Sequence, residues 1–216
     1  MTLDEIGIKY KTDKASYEHD YLNTYDRYIG FFKNKPINLL EIGIQAGNSL
    51  KMWQEYFHKD SKICGIDSEF VYNNIYAFTG NQTNRAFLES IIDKLRYFDI
   101  IIDDGGHTME QQQTSFGYLF KYLSKNGVYI IEDLHTSYSN KEKFNKYFNT
   151  TTLNMLNNLT NTQKIQSDFI LKAEKQYIED NYKHCMIERC KQSEIGFIAK
   201  GELEQGVSGR NEIWKK

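Results

Sequence analysis

The 216-residue chain has a single proline, Pro36, only three cysteines, and no apolar run approaching the roughly 18 residues of a membrane span. With so little proline and no low-complexity stretch, nothing marks a linker, and the length suits one α/β domain. Cys64, Cys185 and Cys190 form no Cys-x-x-Cys pair and cannot all pair with one another, which points to reduced thiols in the cytoplasm. The first residues, Met1 to Lys14, carry charges throughout and lack the apolar centre of a secretory signal. A charge surplus is missing too. Lys+Arg number 27 and Asp+Glu 29, a net charge of −2, and a general nucleic-acid binder needs a basic excess to displace counterions. What the chain does have is core material: it is 40% hydrophobic and 14% aromatic, which excludes a disordered polymer.

From Pro36 onward, short apolar runs alternate with segments of helical period. Asn38–Gly43, Lys62–Ile66, Ile75–Phe78, Phe98–Ile102 and Gly127–Ile131 read as strands. Asn48–His58, Asn84–Leu95 and the stretch through Met109, Phe116, Leu119 and Leu123 read as helices. Phe98-Asp-Ile-Ile-Ile102 is continuous and β-branched, as a strand covered on both faces should be. The repetition calls for a parallel sheet with right-handed crossovers. A polar, Asn-rich stretch over about Lys141–Asp180 reads as helical. His184–Ile187 and Ile195–Ala199 read as an antiparallel hairpin at the sheet edge. The chain is thus expected to be one domain over residues 1–200 with a tail at 201–216: a mostly parallel seven-stranded sheet ending in an antiparallel hairpin.

Ligands of such a sheet bind beyond the carboxyl ends of the strands, so the strand-end residues carry the functional information. The first strand ends in Glu41-Ile-Gly43-Ile-Gln-Ala-Gly47, with Gly43 suited to a tight turn and Gly47 to close backbone approach at a helix N-terminus. Gln45 stands where a dinucleotide fingerprint has its middle glycine. Glu41 two residues before the first glycine points instead to the nucleoside loop of class I S-adenosylmethionine (SAM) methyltransferases. There Glu41 would meet the methionyl ammonium and Asp67, ending the second strand, the ribose. Asn81 and Gln82 follow the third strand, where a polar edge reaches adenine.

Asp103, Asp104 and His107 follow the fourth strand, and Glu132, Asp133 and His135 follow the fifth. Neighbouring parallel strands lie roughly 5 Å apart, so these acids share one small region and repel unless a cation or protons intervene. Either pair alone reads better as loop acids, with Asp104 capping the helix after Thr108. Together they point to a hard ion, Mg²⁺ ahead of Mn²⁺ or Ca²⁺, with His107 placed to take a proton from a hydroxyl beside it.

These residues resemble the metal-dependent sugar O-methyltransferases of macrolide biosynthesis, the mycinamicin and macrocin type, and the related proteins named after cephalosporin hydroxylase. The matching pieces are Lys11-Thr-Asp-Lys14, His19-Asp-Tyr21 with Tyr25, Leu40-Glu-Ile-Gly43, Gly65-Ile-Asp67, Gly80-Asn-Gln82, Asp103-Asp-Gly-Gly-His107 and Glu132-Asp-Leu-His-Thr-Ser-Tyr138, in the family's order. The resemblance implies a Rossmann-like class I methyltransferase fold in which Asp104, Glu132 and Asp133 ligate Mg²⁺ and His107 is the general base. It also implies that residues 1–35 form a helical lid and cofactor segment, with Thr12 and Lys14 at SAM, Lys14 near its carboxylate, and Asp103 among the cofactor residues. A homo-oligomer is implied as well. Lys11-Thr stands where the family usually has Gly-Thr, and Asn81 where Asp is common. The match spans about Ile6 to Tyr138, fades after Lys141 and does not extend to the extra N-terminal domain of the macrolide enzymes.

The function expected is Mg²⁺-dependent transfer of a methyl group from SAM to a hydroxyl of a sugar or glycan-like acceptor, in surface-polysaccharide or natural-product biosynthesis. Tyr17, Tyr21 and Tyr138 are candidate cleft walls. The alternatives are a methyltransferase for a non-sugar small molecule, a metal-dependent hydrolase, or a non-catalytic nucleotide-binding subunit. A hydrolase leaves Glu41, Gly43 and Gly47 idle. A non-catalytic subunit would be expected to have lost part of the acid set.

Overall fold

A computed structural model describes residues 1–69, 76–138, 144 and 150–201. Its seven strands are β1 (Asn38–Ile42), β2 (Lys62–Asp67), β3 (Ala77–Thr79), β4 (Phe98–Asp103), β5 (Leu123–Ile131), β6 (Tyr182–Arg189) and β7 (Glu194–Lys200). They form one sheet in the order β3-β2-β1-β4-β5-β7-β6. The first five pair in parallel, β7 runs antiparallel to β5, and β6 closes the edge antiparallel to β7. The strand order reverses beside β1, between β2 and β4, and a crevice opens at such a switch point.

Helices cover both faces. One face carries α1 (Leu3–Tyr10), α2 (Leu22–Ile29) and α3 (Asn48–Tyr56), packed around Leu39, Ile100, Ile102, Val128 and Ile130. The other carries α4 (Arg85–Leu95), α5 (Met109–Leu119), α6 (Thr152–Thr162) and α7 (Lys172–Asn181), packed around Leu40, Ile42, Ile101, Tyr129 and Ile131. Odd and even residues of each strand point to opposite faces, which assigns the core positions to one cluster or the other; Phe98, before the register shift in β4, departs from the parity of Ile100 and joins the second cluster. Leu3, Ile6, Tyr21, Leu22, Tyr25, Tyr28 and Phe32 are buried in the first cluster, so the N-terminal segment is part of the core as well as a wall of the site.

Helix ends follow their capping chemistry. Thr2 and Glu5 form a capping box on α1, and Thr108 with Gln111 forms one on α5. Asp104 is therefore not the cap of α5, because Thr108 satisfies those amides and leaves the Asp104 carboxylate to the site. Several expected boundaries shift, the edge strands lengthening to Tyr182–Arg189 and Glu194–Lys200 and the helix from Asn48 ending at Tyr56. β5 begins at Leu123 rather than Gly127, because Leu123 pairs with Phe98 across a register shift and Ser124 donates to Asp99 at 2.9 Å. β3 covers Ala77–Thr79, and Ile75 of the expected strand lies outside the described residues. Within the Asn-rich stretch, α6 and α7 stand on either side of a break at Gln163, which takes a left-handed conformation at φ 58°. Residues 139–143, 145–149 and the expected tail from 202 are outside the described residues. Among the described residues, no helix is long and apolar enough to cross a membrane.

Candidate active site

The register lines up the strand ends: Ile42 lies opposite both Ile66 and Asp103, and Asp103 opposite Ile131. The backbone ladder continues one residue further, with Gly43 N–H donating to Ile66 O at 2.8 Å, Asp104 N–H to Ile42 O at 2.9 Å and Glu132 N–H to Asp103 O at 3.0 Å. Gly43, Asp104 and Glu132 are thus fixed side by side before any side chain is considered. Alternation then divides the acids. Asp104 and Glu132 continue the parity of Ile102 and Ile130 and face the N-terminal helices, while Asp103 faces α4 and α5. Asp133 sits at φ 56° and His107 at φ 59°. Left-handed backbone is uncommon for such residues and concentrates at functional sites.

A cleft of about 430 Å³ opens at the switch point. Its floor is the loop after β1, Gly43 to Ala46, with Asn48 and Ser49 at the start of α3. Gly43 has φ +96°, and a Cβ there would collide with the Asp104 carbonyl, so the loop needs glycine on two counts. Gly47 caps α3 at φ 74° without a side-chain cap, leaving that helix end open toward the cleft. Asp67 Oδ2 accepts from the Ile44 and Gln45 amides at 2.9 and 3.1 Å, and Oδ1 from Glu69 at 3.0 Å, so the carboxylate shapes the loop it borders. Asn81 and Gln82 form the opposite wall. The Gln82 amide donates to Asp103 at 3.0 Å and accepts from Gly106 at 3.1 Å, which ties the loop after β3 to the loop after β4.

At one end of the cleft Asp104, His107 and Asp133 converge, each offering a ligand atom within 4.8 Å of the others. His107 Nε2 lies 3.4 Å from Asp133 Oδ2 and 4.0 Å from Asp104 Oδ1. Its Nδ1 is buried with no hydrogen-bond partner among the described residues. Tyr21 donates to Asp133 at 2.7 Å, and His135 Nδ1 is 3.7 Å from Asp133 on the far side, itself bonded to Ser193 at 2.8 Å. Burial of Asp133 is outweighed by His107 and the Tyr21 hydrogen bond, which hold its carboxyl below the usual range.

Behind this group lies a second, buried layer. The Lys14 ammonium bonds Asp104 directly, sits 2.9 Å from Glu132 Oε1 and 3.5 Å from Glu41 Oε1, and is 1% exposed. Tyr25 donates to Glu132, and Ser49 donates to Glu41 at 2.8 Å. Burial raises all three carboxyls in spite of Lys14, Glu41 to about 7, with the neighbouring Asp104 charge raising Glu132 further. The Lys14 ammonium, opposed by burial, is carried well above its ordinary value by Asp104, Glu132 and Glu41. Asp103 is pushed by burial to about 6, and its bonds are to neutral groups: the Gly105 backbone amide, Ser115, Gln82, and Tyr129 at 3.3 Å.

Of the residues expected from the sequence, Thr12, Gly43, Asp67, Asn81, Gln82, Asp104, His107 and Asp133 line the cleft. Lys14, Glu41, Gly47, Asp103 and Glu132 are buried behind its walls. Tyr17 lines the cleft and donates to Thr12 O at 2.7 Å, Tyr21 is buried against Asp133, and Tyr138 is exposed outside the lining. The Tyr25–Glu132 bond was not anticipated. Tyr21 and Tyr25 lie one helical turn apart, at the start of α2 and within it, and buried phenols need partners, which is the signal that points to carboxylates opposite them.

The Asp104, His107 and Asp133 donors, mostly oxygen and open to the cleft, fit a divalent ion, with Glu132 one layer deeper. The glycine loop, open helix end and polar wall fit a nucleoside with a charged tail.

No family model matches the chain. It is 34% identical over 147 residues to mycinamicin VI 2''-O-methyltransferase of Micromonospora griseorubida, and 35% identical over 147 residues to demethylmacrocin O-methyltransferase of Streptomyces fradiae. It is 33% identical over the same length to a tetracenomycin rhamnosyl 3'-O-methyltransferase of Streptomyces olivaceus. Each match takes in 63% of this chain and 37% of the relative, so the matched stretch is well under half the length of these enzymes. A solved structure of the MycE methyltransferase from the mycinamycin pathway, in complex with Mg, SAH and mycinamycin VI, superposes with a TM-score of 0.77 at 26% identity, over 97% of this chain and 57% of that one. The sheet is therefore that of a methyltransferase, and the chain's homologues are the sugar O-methyltransferases of macrolide and tetracenomycin biosynthesis.

Proposed function

We propose that this protein transfers a methyl group from SAM to a hydroxyl of a sugar or glycan-like acceptor with the help of a divalent cation, Mg²⁺ by the chemistry of the donors. The observation that carries this is the meeting of Asp104, His107 and Asp133 at the end of the glycine-loop cleft. The MycE structure, bound to Mg and SAH, supports the same assignment by likeness.

In this reading Asp104 and Asp133 hold the ion at the cleft, with Glu132 supporting Asp104 from behind. Thr12, Gly43, Asp67, Asn81 and Gln82 border the SAM cavity, while Glu41, Gly47 and Asp103 shape its walls from inside. When bound, SAM supplies the electrophilic methyl group, and the ion supplies charge that lowers the pKa of a neighbouring hydroxyl. His107 Nε2 faces both carboxylates and accepts the acceptor's proton. For that transfer the neutral ring carries its hydrogen on Nδ1, which is buried away from the two carboxylates. Tyr21 fixes Asp133 and so fixes the partner of His107. Fixing acceptor and donor in one cleft provides the alignment a displacement needs. By the family resemblance the protein acts as a homo-oligomer, a point checked by light scattering on the purified chain, and its three free cysteines fit a reducing cytoplasm.

The test is turnover of labelled SAM against a panel of nucleotide-linked sugars and glycosides, with Mg²⁺ and with exhaustive chelation. Label transfer that depends on the ion, and that falls by roughly 10²–10⁴-fold in His107→Ala while SAM still binds, is the expected result. Transfer that survives chelation contradicts the metal role, and a chain with no SAM affinity contradicts the reading as a whole.

A further inference from the structure

Lys14 occupies an unusual position. A lysine in the sequence Lys11-Thr-Asp-Lys14 ordinarily keeps its ammonium in water, yet this one is 1% exposed. It is absent from the cleft lining, where a ligand of the SAM carboxylate would be found. Its ammonium instead stands among carboxylates from three strand ends: Asp104 after β4, Glu132 after β5 at 2.9 Å, and Glu41 in β1 at 3.5 Å. Asp13 adds a fourth negative charge from the same segment. Asp104 is shared: Oδ2 faces Lys14, while Oδ1 faces His107 at 4.0 Å.

We propose that Lys14 is the resident counter-cation of the acid cluster, a positioning residue that holds Asp104 and Glu132 in register and keeps the affinity for the divalent ion down. This rests on the reading of Asp104 and Asp133 as the ion's ligands. A fixed ammonium on the opposite oxygen of a metal-binding carboxylate withdraws charge from it, and two cations so close repel in a poorly solvated site. Without the ion, the ammonium compensates buried carboxylates that would otherwise repel one another. With the ion, part of that task is duplicated. The same contact latches residues 11–18, several of which form the cleft wall, onto the sheet. Ion binding and the seating of that wall are linked through one side chain.

The experiment measures Mg²⁺ affinity by calorimetry at pH 8, and melting temperature with and without saturating Mg²⁺, for the wild-type chain, Lys14→Met and Lys14→Arg. Lys14→Met is expected to melt lower without Mg²⁺, to bind Mg²⁺ at least about tenfold more tightly, and to gain more from the ion than the wild type does. Lys14→Arg keeps the charge and is expected to bind Mg²⁺ like the wild type. A folded Lys14→Met that binds Mg²⁺ no more tightly overturns the proposal. So does a variant that stays unfolded at saturating Mg²⁺, because the ion would then fail to stand in for the ammonium. Lost SAM affinity with unchanged Mg²⁺ affinity overturns it in favour of a contact to the cofactor. A wild-type chain with no Mg²⁺ affinity overturns the metal reading itself, and this proposal with it.

Discussion

Asp103 and Asp104 are neighbours in sequence with opposite surroundings. Asp103 turns toward α4 and α5 and is surrounded by neutral donors, Ser115, Gln82 and Tyr129. Asp104 turns toward the N-terminal segment and meets the charged Lys14, with His107 and Asp133 on its open side. A carboxyl among neutral donors is a structural hub: it can take up a proton, and nothing in its shell can be exchanged for another cation. A carboxylate among charged groups at a cleft has partners that a metal can replace or join. One step of strand alternation separates the two chemistries.

The sharpest break between the two is expected from Asp104→Asn. Losing a ligand charge should cut ion-dependent methyl transfer by about 10²-fold or more, while the fold and SAM binding survive. Transfer within tenfold of wild type would remove Asp104 from the ion site. Asp103→Asn should do the reverse. The new amide sets a donor against the donors of Ser115, Gln82 and Tyr129, costing about 1–3 kcal/mol of stability on denaturant unfolding, with Mg²⁺ affinity unchanged. If Asp103→Asn abolished Mg²⁺ binding instead, the division between the two faces would be wrong.

The smallest effect concerns pH. Burial raises the Glu41 carboxyl from 4.5 to about 7 against the pull of Lys14. A carboxyl whose folded value exceeds its unfolded one binds its proton more strongly in the native state. Its contribution is then complete below pH 4.5 and is lost as pH rises through 7. The apo protein should become less stable between pH 5 and 8. Glu41→Gln should flatten that slope by about 1 kcal/mol, a figure kept low because Lys14 responds to the same charge. An identical slope in the variant would mean that Glu41 is already ionised in the native state.

Much of the sheet was legible in the sequence because buried parallel strands are written as apolar runs, as in Phe98–Ile102 and Lys62–Ile66. The start of β5 was not, since Ser124, Lys125 and Asn126 are polar and belong to the strand only through the pairing of Leu123 with Phe98. The strand-end acids stood out as a set. Their division between the two faces of the sheet follows from parity along β4 and β5, up to the point where Asp133 leaves the pattern through its left-handed backbone, but the burial of Glu132 behind Asp104 on the same face does not. The place of Lys14 was not legible at all. Its burial depends on three carboxylates that are 27, 90 and 118 residues away along the chain, and local composition holds no trace of such a contact.

The central claim is that Asp104 and Asp133 hold one divalent ion beside His107 at the end of the SAM cleft. Its most direct test is a titration of Mn²⁺, as a paramagnetic substitute for Mg²⁺, into the SAM-saturated protein, followed by proton NMR of the histidine rings. The account predicts one ion per chain, with the His107 ring signals broadening first, ahead of those of His58 beyond the far end of α3, and the effect abolished in Asp104→Asn. Broadening that starts elsewhere, or that persists unchanged in Asp104→Asn, would contradict it.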